Sequence, residues 1–400
     1  MFDARPEVQG GVTVQLAGRI RNAPPYPFAA LNQTVASLRA QGRRVISLGV
    51  GDPDTPPPAR AYVELRSWAE RAEMHRYPDY AGAGAYRAAV AAYYRRRFGV
   101  ALDPEREVVG LIGSKEGLAH LMWALVEEGD AVLVPDPAYP VYAAQARFAG
   151  AEPVPLPLLP AQRFLPDLDA VPADVAARAR VLVLCYPNAP TAALADGEFF
   201  RRALAFGRRH DLVVVNDAAY ADVILEGERP PSLLAFAQPG DMAVEFYSLS
   251  KTYHVTGWRL AAAVGAPAVL DGLRAMKENT DSGQWTPLQM AGAALLEDAS
   301  LDAYVARENE RLRARRDRLM AALTAAGLNP SLPRATLYVW CPVPDGDDAA
   351  FAQRLLTETG VLVTPGRAFG AAGAGFVRLS LSVPDDELAE ACDRIASFSP

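Results

Sequence analysis

Short, almost wholly apolar runs alternate with amphipathic helical stretches over roughly residues 55 to 280, and this rhythm limits the fold more than any other feature. The runs Val108–Ile112, Ala131–Val134, Val181–Leu184, Leu212–Asn216, Ala243–Ser248 and Leu260–Val264 read as strands. Lys115–Glu127, Val141–Phe148 and Gly197–His210 read as helices between them. Strands apolar at successive positions are buried on both faces, as in a parallel sheet covered by helices. The expected class is therefore α/β, with a doubly wound, mostly parallel sheet.

Outside that region the rhythm changes. An arginine-rich helix is expected over Leu301–Ala325, then short strands near Leu337–Trp340, Val361–Thr364 and Phe376–Ser380, and a closing helix near Asp385–Ser397. These predict a smaller α+β domain. The N-terminal stretch carries one helix, Ala29–Gln41, and no sheet unit of its own. The Pro-rich stretch Val154–Pro166 reads as an irregular connector. The expected division is residues 1–50 as an N-terminal arm and part of the small domain, 51–290 as the large domain, and 291–400 as the small C-terminal domain.

Half of the 400 residues are hydrophobic, enough for a sizeable core. The net charge of −7 argues against nucleic acid as a partner, which needs a basic footprint. Cys185, Cys341 and Cys392 lie far apart with no CxxC spacing, as expected of core thiols in a reducing cytoplasm. His75, His120, His210 and His254 lack metal-ligand spacing, so no metal is expected. No apolar run is long enough to predict a membrane span.

Lysine usage is more informative. Of 40 basic residues only Lys115, Lys251 and Lys277 are lysines. Where arginine is the default cation, a retained lysine suggests a need for an amine, which can lose its proton and attack a carbonyl. For Lys277, chance survival on the surface is an equally good reading.

Ligands of open α/β sheets sit at the carboxyl ends of the strands, and five polar groups follow the expected strands. Gly113-Ser114-Lys115 opens a helix, whose free N–H groups suit a phosphate, or it is a glycine turn with a serine cap. Tyr139 could cover a planar ligand, or fill the core. Asp217, at the end of a very apolar strand, needs a cation or strong donor such as a pyridinium N–H, or else caps a helix. Tyr220 follows three residues on. Ser248, Ser250 and Arg259 suit a phosphate dianion, with Lys251 among them suited to Schiff-base chemistry; alone, such a segment is more often a surface loop. Arg378, inside an apolar strand, needs an anion, either a substrate carboxylate or a structural partner.

Together these segments carry a family resemblance. The stretches PPYPFAALN, SLGVGDPDTPPP, IGSKEGLAHL, VPDPAYPVY and YSLSKTYHVTGWR, with the Asp281-Ser282-Gly283 triplet, resemble the class I/II aminotransferases of pyridoxal-phosphate (PLP) fold type I. Within these they are most similar to the LL-diaminopimelate aminotransferase group. The resemblance implies pyridoxal 5'-phosphate held by Lys251, with Ser114 and Lys115 giving backbone N–H groups to its phosphate. It implies that Tyr139 stacks on the ring, Asp217 pairs with the ring nitrogen and Tyr220 with the phenolate oxygen, while Ser248, Ser250 and Arg259 grip the phosphate. Arg378 and the Gly51 backbone would bind the substrate carboxylate, and Tyr26 the substrate. Tyr77 would reach the phosphate site of a second subunit, implying a homodimer. The implied reaction moves an amino group from LL-diaminopimelate or a related dicarboxylic amino acid to a 2-oxo acid such as 2-oxoglutarate, in lysine biosynthesis.

One position departs from the pattern. Similar enzymes carry Asn-Asn-Pro-Thr-Gly where this chain has Asn188-Ala189-Pro190-Thr191-Ala192. Ala189 then stands where an asparagine would contact ring and substrate, at a loss of about 1–3 kcal/mol unless Asn188 reaches in. That departure keeps a PLP-dependent β-lyase, or a degenerate binding protein of the same fold, as alternatives.

Overall fold

The computed structural model describes residues 14–21 and 29–400. Twelve strands occur among them: β1 (Ile46–Ser47), β2 (Val108–Leu111), β3 (Ala131–Asp136), β4 (Glu152–Pro157), β5 (Ala179–Leu184), β6 (Val213–Asp217), β7 (Ala243–Ser248), β8 (Ala261–Gly265), β9 (Tyr338–Pro342), β10 (Val361–Leu362), β11 (Thr364–Pro365) and β12 (Phe376–Ser380). Seven form the central sheet in the order β2-β8-β7-β6-β5-β3-β4. All its pairings are parallel except those of β8 with β7 and β2.

Both faces of this sheet are covered, which explains the unbroken apolar runs. Val181, Val183 and Val215 face a cluster containing Leu118, Tyr142 and Leu273 from the flanking helices. Their neighbours Leu182, Leu184 and Val214 face Phe199, Phe200 and Leu204 of the Gly197–His210 helix. This period-two division puts helices on both sides.

The Pro-rich segment corrects the sequence expectation, because its first part is the edge strand β4. Glu152 N–H donates to Asp130 O (2.9 Å) and Leu158 N–H to Asp136 O (2.6 Å). The alternate positions, Pro153, Pro155 and Pro157, thus turn their missing donors to the free edge, where proline is tolerated.

A second sheet, β11-β12-β9, is antiparallel. It shares a core with the long Asp302–Ala325 helix and the Asp385–Ala396 helix through Leu312, Leu319, Leu323, Ala391 and Ile395. β1 pairs with β10 in parallel, and Ser380 N–H donates to Leu48 O (2.7 Å). The chain at Gly49–Gly51 is thereby strapped beside β12. Among the described residues no helix is long and apolar enough to cross a membrane.

Candidate active site

β2, β3, β5, β6 and β7 run in one direction, so their carboxyl ends share one edge of the sheet. β8 runs the opposite way, so its start, just after Arg259, lies on the same edge.

Asp217 ends β6 and is buried. Its Oδ2 accepts from the Tyr142 hydroxyl (2.7 Å), while Oδ1 has no hydrogen-bond partner. Burial pushes its carboxyl up to about 6, only partly offset by the Tyr142 hydroxyl and the nearby Ala219 N–H. It caps no helix. A ligand donor reaching Oδ1 would satisfy both the orphaned oxygen and the buried charge.

Lys251 lies in a four-residue helix straight after β7, whose first turn is capped by Ser248 Oγ accepting from Ser250 N–H (3.2 Å). Its Nζ donates to Gly51 O (2.6 Å). No carboxylate of the described residues pairs with it. Burial lowers its basicity first, Asp52 works the other way, and Arg259 and Arg378 lower it further, leaving the amine pushed down to about 8. An amine so placed gives up its proton far more easily than an ordinary lysine and becomes nucleophilic just above neutral pH.

Two walls of a cradle present donors that would suit an anion. Gly113 adopts φ +80° and precedes the Ser114–Leu125 helix. A Cβ at Gly113 would collide with the Arg259 guanidinium, so the glycine lets that cation press against the helix N-terminus. Ser114 does not cap the helix, and its Oγ is buried without a partner. Ser248 and Ser250 are also buried. Tyr139 stands at the mouth, with the Lys115 amine 5.7 Å from its ring centre and its ring edge-on to Tyr142 at 5.9 Å.

Arg378, in β12, forms no ion pair among the described residues, so the structural-partner reading fails. One Nη donates to Gly49 O (2.8 Å), Nε is buried and unpaired, and the guanidinium lies over the Tyr338 ring at 4.1 Å. Tyr338 Oη meets Tyr220 Oη at 2.9 Å and leaves no room for a Cβ at Gly51. Arg378, Tyr338, Tyr220, Gly51 and Lys251 thus form one continuous chain of contacts.

Three of the residues singled out from the sequence stand apart from this set. Tyr26 lies outside the described residues. Tyr77 is 91% exposed and takes no part in the contacts above. Asn188 does not reach in for the missing asparagine: its amide donates to Cys185 O (3.2 Å) and its oxygen accepts from Thr191. Ala189 instead packs in the cluster containing Tyr220 and Tyr338. Sequence reasoning missed Tyr142 and Tyr338, whose partners are distant in the chain. A polar tip on an otherwise apolar helix or strand face was the only available signal.

Three buried, unpaired polar atoms thus belong to this set: Asp217 Oδ1 and Ser114 Oγ in segments at the sheet edge that also carries the Lys251 amine, and Arg378 Nε in β12, joined to Lys251 by the contacts above. They fit a ligand offering a ring N–H, a phosphate and a carboxylate, beside an electrophile for Lys251.

Comparison with known proteins agrees. The profile of the aminotransferase class I and II family matches residues 43–395. The chain is 46% identical to the LL-diaminopimelate aminotransferase of Syntrophobacter fumaroxidans over 96% of its length and 98% of the relative's. Identity to the protein of that name from Desulforudis audaxviator is 48%, over 95% and 96% of the two chains. Among solved structures, substrate-bound BacF from Bacillus subtilis superposes with a TM-score of 0.90 at 31% identity, covering 96% and 98% of the two chains. A probable N-succinyldiaminopimelate aminotransferase from Thermus thermophilus gives 0.86 at 38% identity, covering 92% and 99%. The chain belongs to the class I and II aminotransferases.

Proposed function

We propose that this aminotransferase carries pyridoxal 5'-phosphate on Lys251 and moves an amino group from LL-diaminopimelate, or a related dicarboxylic amino acid, to a 2-oxo acid such as 2-oxoglutarate. The observation that carries the reading is the Lys251 amine, basicity lowered by burial and flanking arginines, at the strand edge that also holds the orphaned Asp217 oxygen. Names of relatives over nearly the whole chain favour the substrate class.

When bound, pyridoxal phosphate supplies an aldehyde and an electron-accepting ring. The chain's own groups do the rest. Ser114 and Lys115 N–H groups, Ser248, Ser250 and Arg259 hold the phosphate. Asp217 keeps a proton on the ring nitrogen, Tyr139 covers the ring and Tyr220 donates to its phenolate oxygen. Arg378, with the Gly51 backbone, orients the substrate carboxylate, and Tyr26 also contacts substrate. Nζ of Lys251, once free, would take the proton from the substrate α-carbon and deliver it to the cofactor carbon rather than back to its origin. Tyr77, too exposed to act within its own chain, would complete the phosphate site of a second subunit in a homodimer. We assign residues 51–290 to the cofactor-binding domain and 1–50 with 291–400 to the small one, and place the enzyme in the cytoplasm as a step in lysine biosynthesis.

Incubation with LL-diaminopimelate, other amino acids and 2-oxoglutarate tests the reading. Glutamate formation with a dicarboxylic donor is expected. Release of pyruvate without an acceptor would show lyase chemistry instead, and no turnover of any donor would leave only a binding role.

A further inference from the structure

Beneath the cradle lies a buried charged cluster that the proposed chemistry does not use. Lys277, in the last turn of the Pro267–Thr280 helix, is fully buried, which overturns its reading as a surface survivor. Its Nζ lies 3.0 Å from Glu116 Oε1 and 3.2 Å from both oxygens of Asp281. His120 Nδ1 stands 2.6 Å from the same Glu116 oxygen, close but not aligned as a hydrogen bond. Glu116, His120 and Asp281 present ligand atoms within 4.8 Å of one another, a spacing that could suit a cation. The Lys277 ammonium already lies against both carboxylates, so the cluster has its cation built in.

What the cluster joins is the two walls of the cradle. Glu116 is the third residue of the Ser114–Leu125 helix, and its Oε2 accepts from Ile112 N–H (2.8 Å), pinning the strand exit that leads into Gly113. On the other side, Asp281 Oδ1 accepts from Gly283 N–H (2.6 Å). The next residue, Gln284, donates to the carbonyls of Trp258 (2.6 Å) and Arg259 (2.7 Å). Arg259 holds an unfavourable φ of +52°, so its backbone needs outside support. One ammonium thus ties the helix wall, through Glu116, to the arginine wall, through Asp281 and Gln284. It also offsets carboxylate charge that would otherwise face a bound anion from below.

We propose that Lys277 is a positioning residue: it never touches the ligand, and it fixes the spacing of the helix N-terminus and Arg259 around the phosphate. The inference rests on the cofactor reading above. It also gives a reason for this lysine among so many arginines, since the cluster holds a compact point charge on a buried stem.

The test is whether the phosphate specifically is lost. Ligand-free protein is titrated with pyridoxal phosphate and, separately, with pyridoxal, following absorbance. The parent is expected to prefer the phosphorylated form strongly. In Lys277→Met/Glu116→Gln the pair is removed together, so net charge near the cradle is unchanged. Its preference for pyridoxal phosphate over pyridoxal should fall by about tenfold or more, the size of one to two charge-assisted hydrogen bonds. Pyridoxal binding alone should change little. Asp281→Asn, at the partly exposed end of the cluster, is the milder arm and should shift the same ratio several-fold; it carries the test if the double variant does not fold. An unchanged ratio in the folded variants, or equal weakening of both ligands, overturns the positioning role. A parent that binds neither ligand overturns the cofactor reading itself, and the inference with it.

Discussion

Lys251 and Lys277 both draw their amines away from water, Lys277 fully and Lys251 in part, and their partners differ in kind. Around Lys251 the direct acceptor is a backbone carbonyl, and Arg259 and Arg378 oppose its charge. Around Lys277 two carboxylates close on the ammonium. Burial without an ion-paired counter-charge makes a base and nucleophile, while burial against paired carboxylates makes a fixed structural cation. Residue type and burial therefore do not decide function here; the partners do.

The largest expected effect breaks the comparison at the reactive end. Lys251→Arg keeps a positive charge but no amine, so turnover should fall by about a thousandfold or more in a steady-state assay with 2-oxoglutarate. If the guanidinium sustained turnover, charge alone would be the requirement and the contrast would vanish.

Stability sharpens the same contrast. Lys277→Met strands two carboxylates and should lower ligand-free stability by about 3–5 kcal/mol in denaturant unfolding. Lys251→Met should do the reverse. The folded amine sits near 8 against an unfolded value of 10.5, so its charge destabilises the fold fully below pH 8 and ceases to as pH rises through 10.5. The methionine variant should gain up to about 3 kcal/mol below pH 8 and lose that gain in more alkaline buffer. Equal effects of the two substitutions would refute the distinction.

Asp217 gives a comparison of similar size with opposite pH sense. Its folded carboxyl lies near 6 against 3.8 unfolded, so the ligand-free protein loses stability as pH rises between those values. Asp217→Asn should raise the ligand-free melting temperature above pH 6 and have no effect below about pH 3.8, while turnover drops on the order of a hundredfold. The smallest effect is expected for Ser114→Ala. Removing an already unpaired hydroxyl should leave ligand-free stability unchanged and weaken pyridoxal-phosphate binding by several-fold.

Much of this was legible in the sequence because it is local. Strands buried on both faces are continuous apolar runs, and the groups that follow them fall at one sheet edge by topology alone. What was not legible depends on which distant residues meet. Tyr142 of a flanking helix partners Asp217 at the end of β6, Tyr220 partners Tyr338 of the second sheet, and no local pattern pairs them. Lys277 read equally well as a surface survivor or a required amine, since Glu116 and Asp281 approach it only after the sheet has folded. The prolines of β4 misled because their significance depends on which side of the strand is paired, a fact set by the neighbouring β3.

The most direct test is the fate of the amine at position 251. Purified protein reconstituted with pyridoxal phosphate, reduced with borohydride and digested should yield one modified peptide, with the cofactor on Lys251. Modification at Lys115 or Lys277 instead, or no reducible adduct at all, would contradict the assignment of Lys251 as the poised amine of this site.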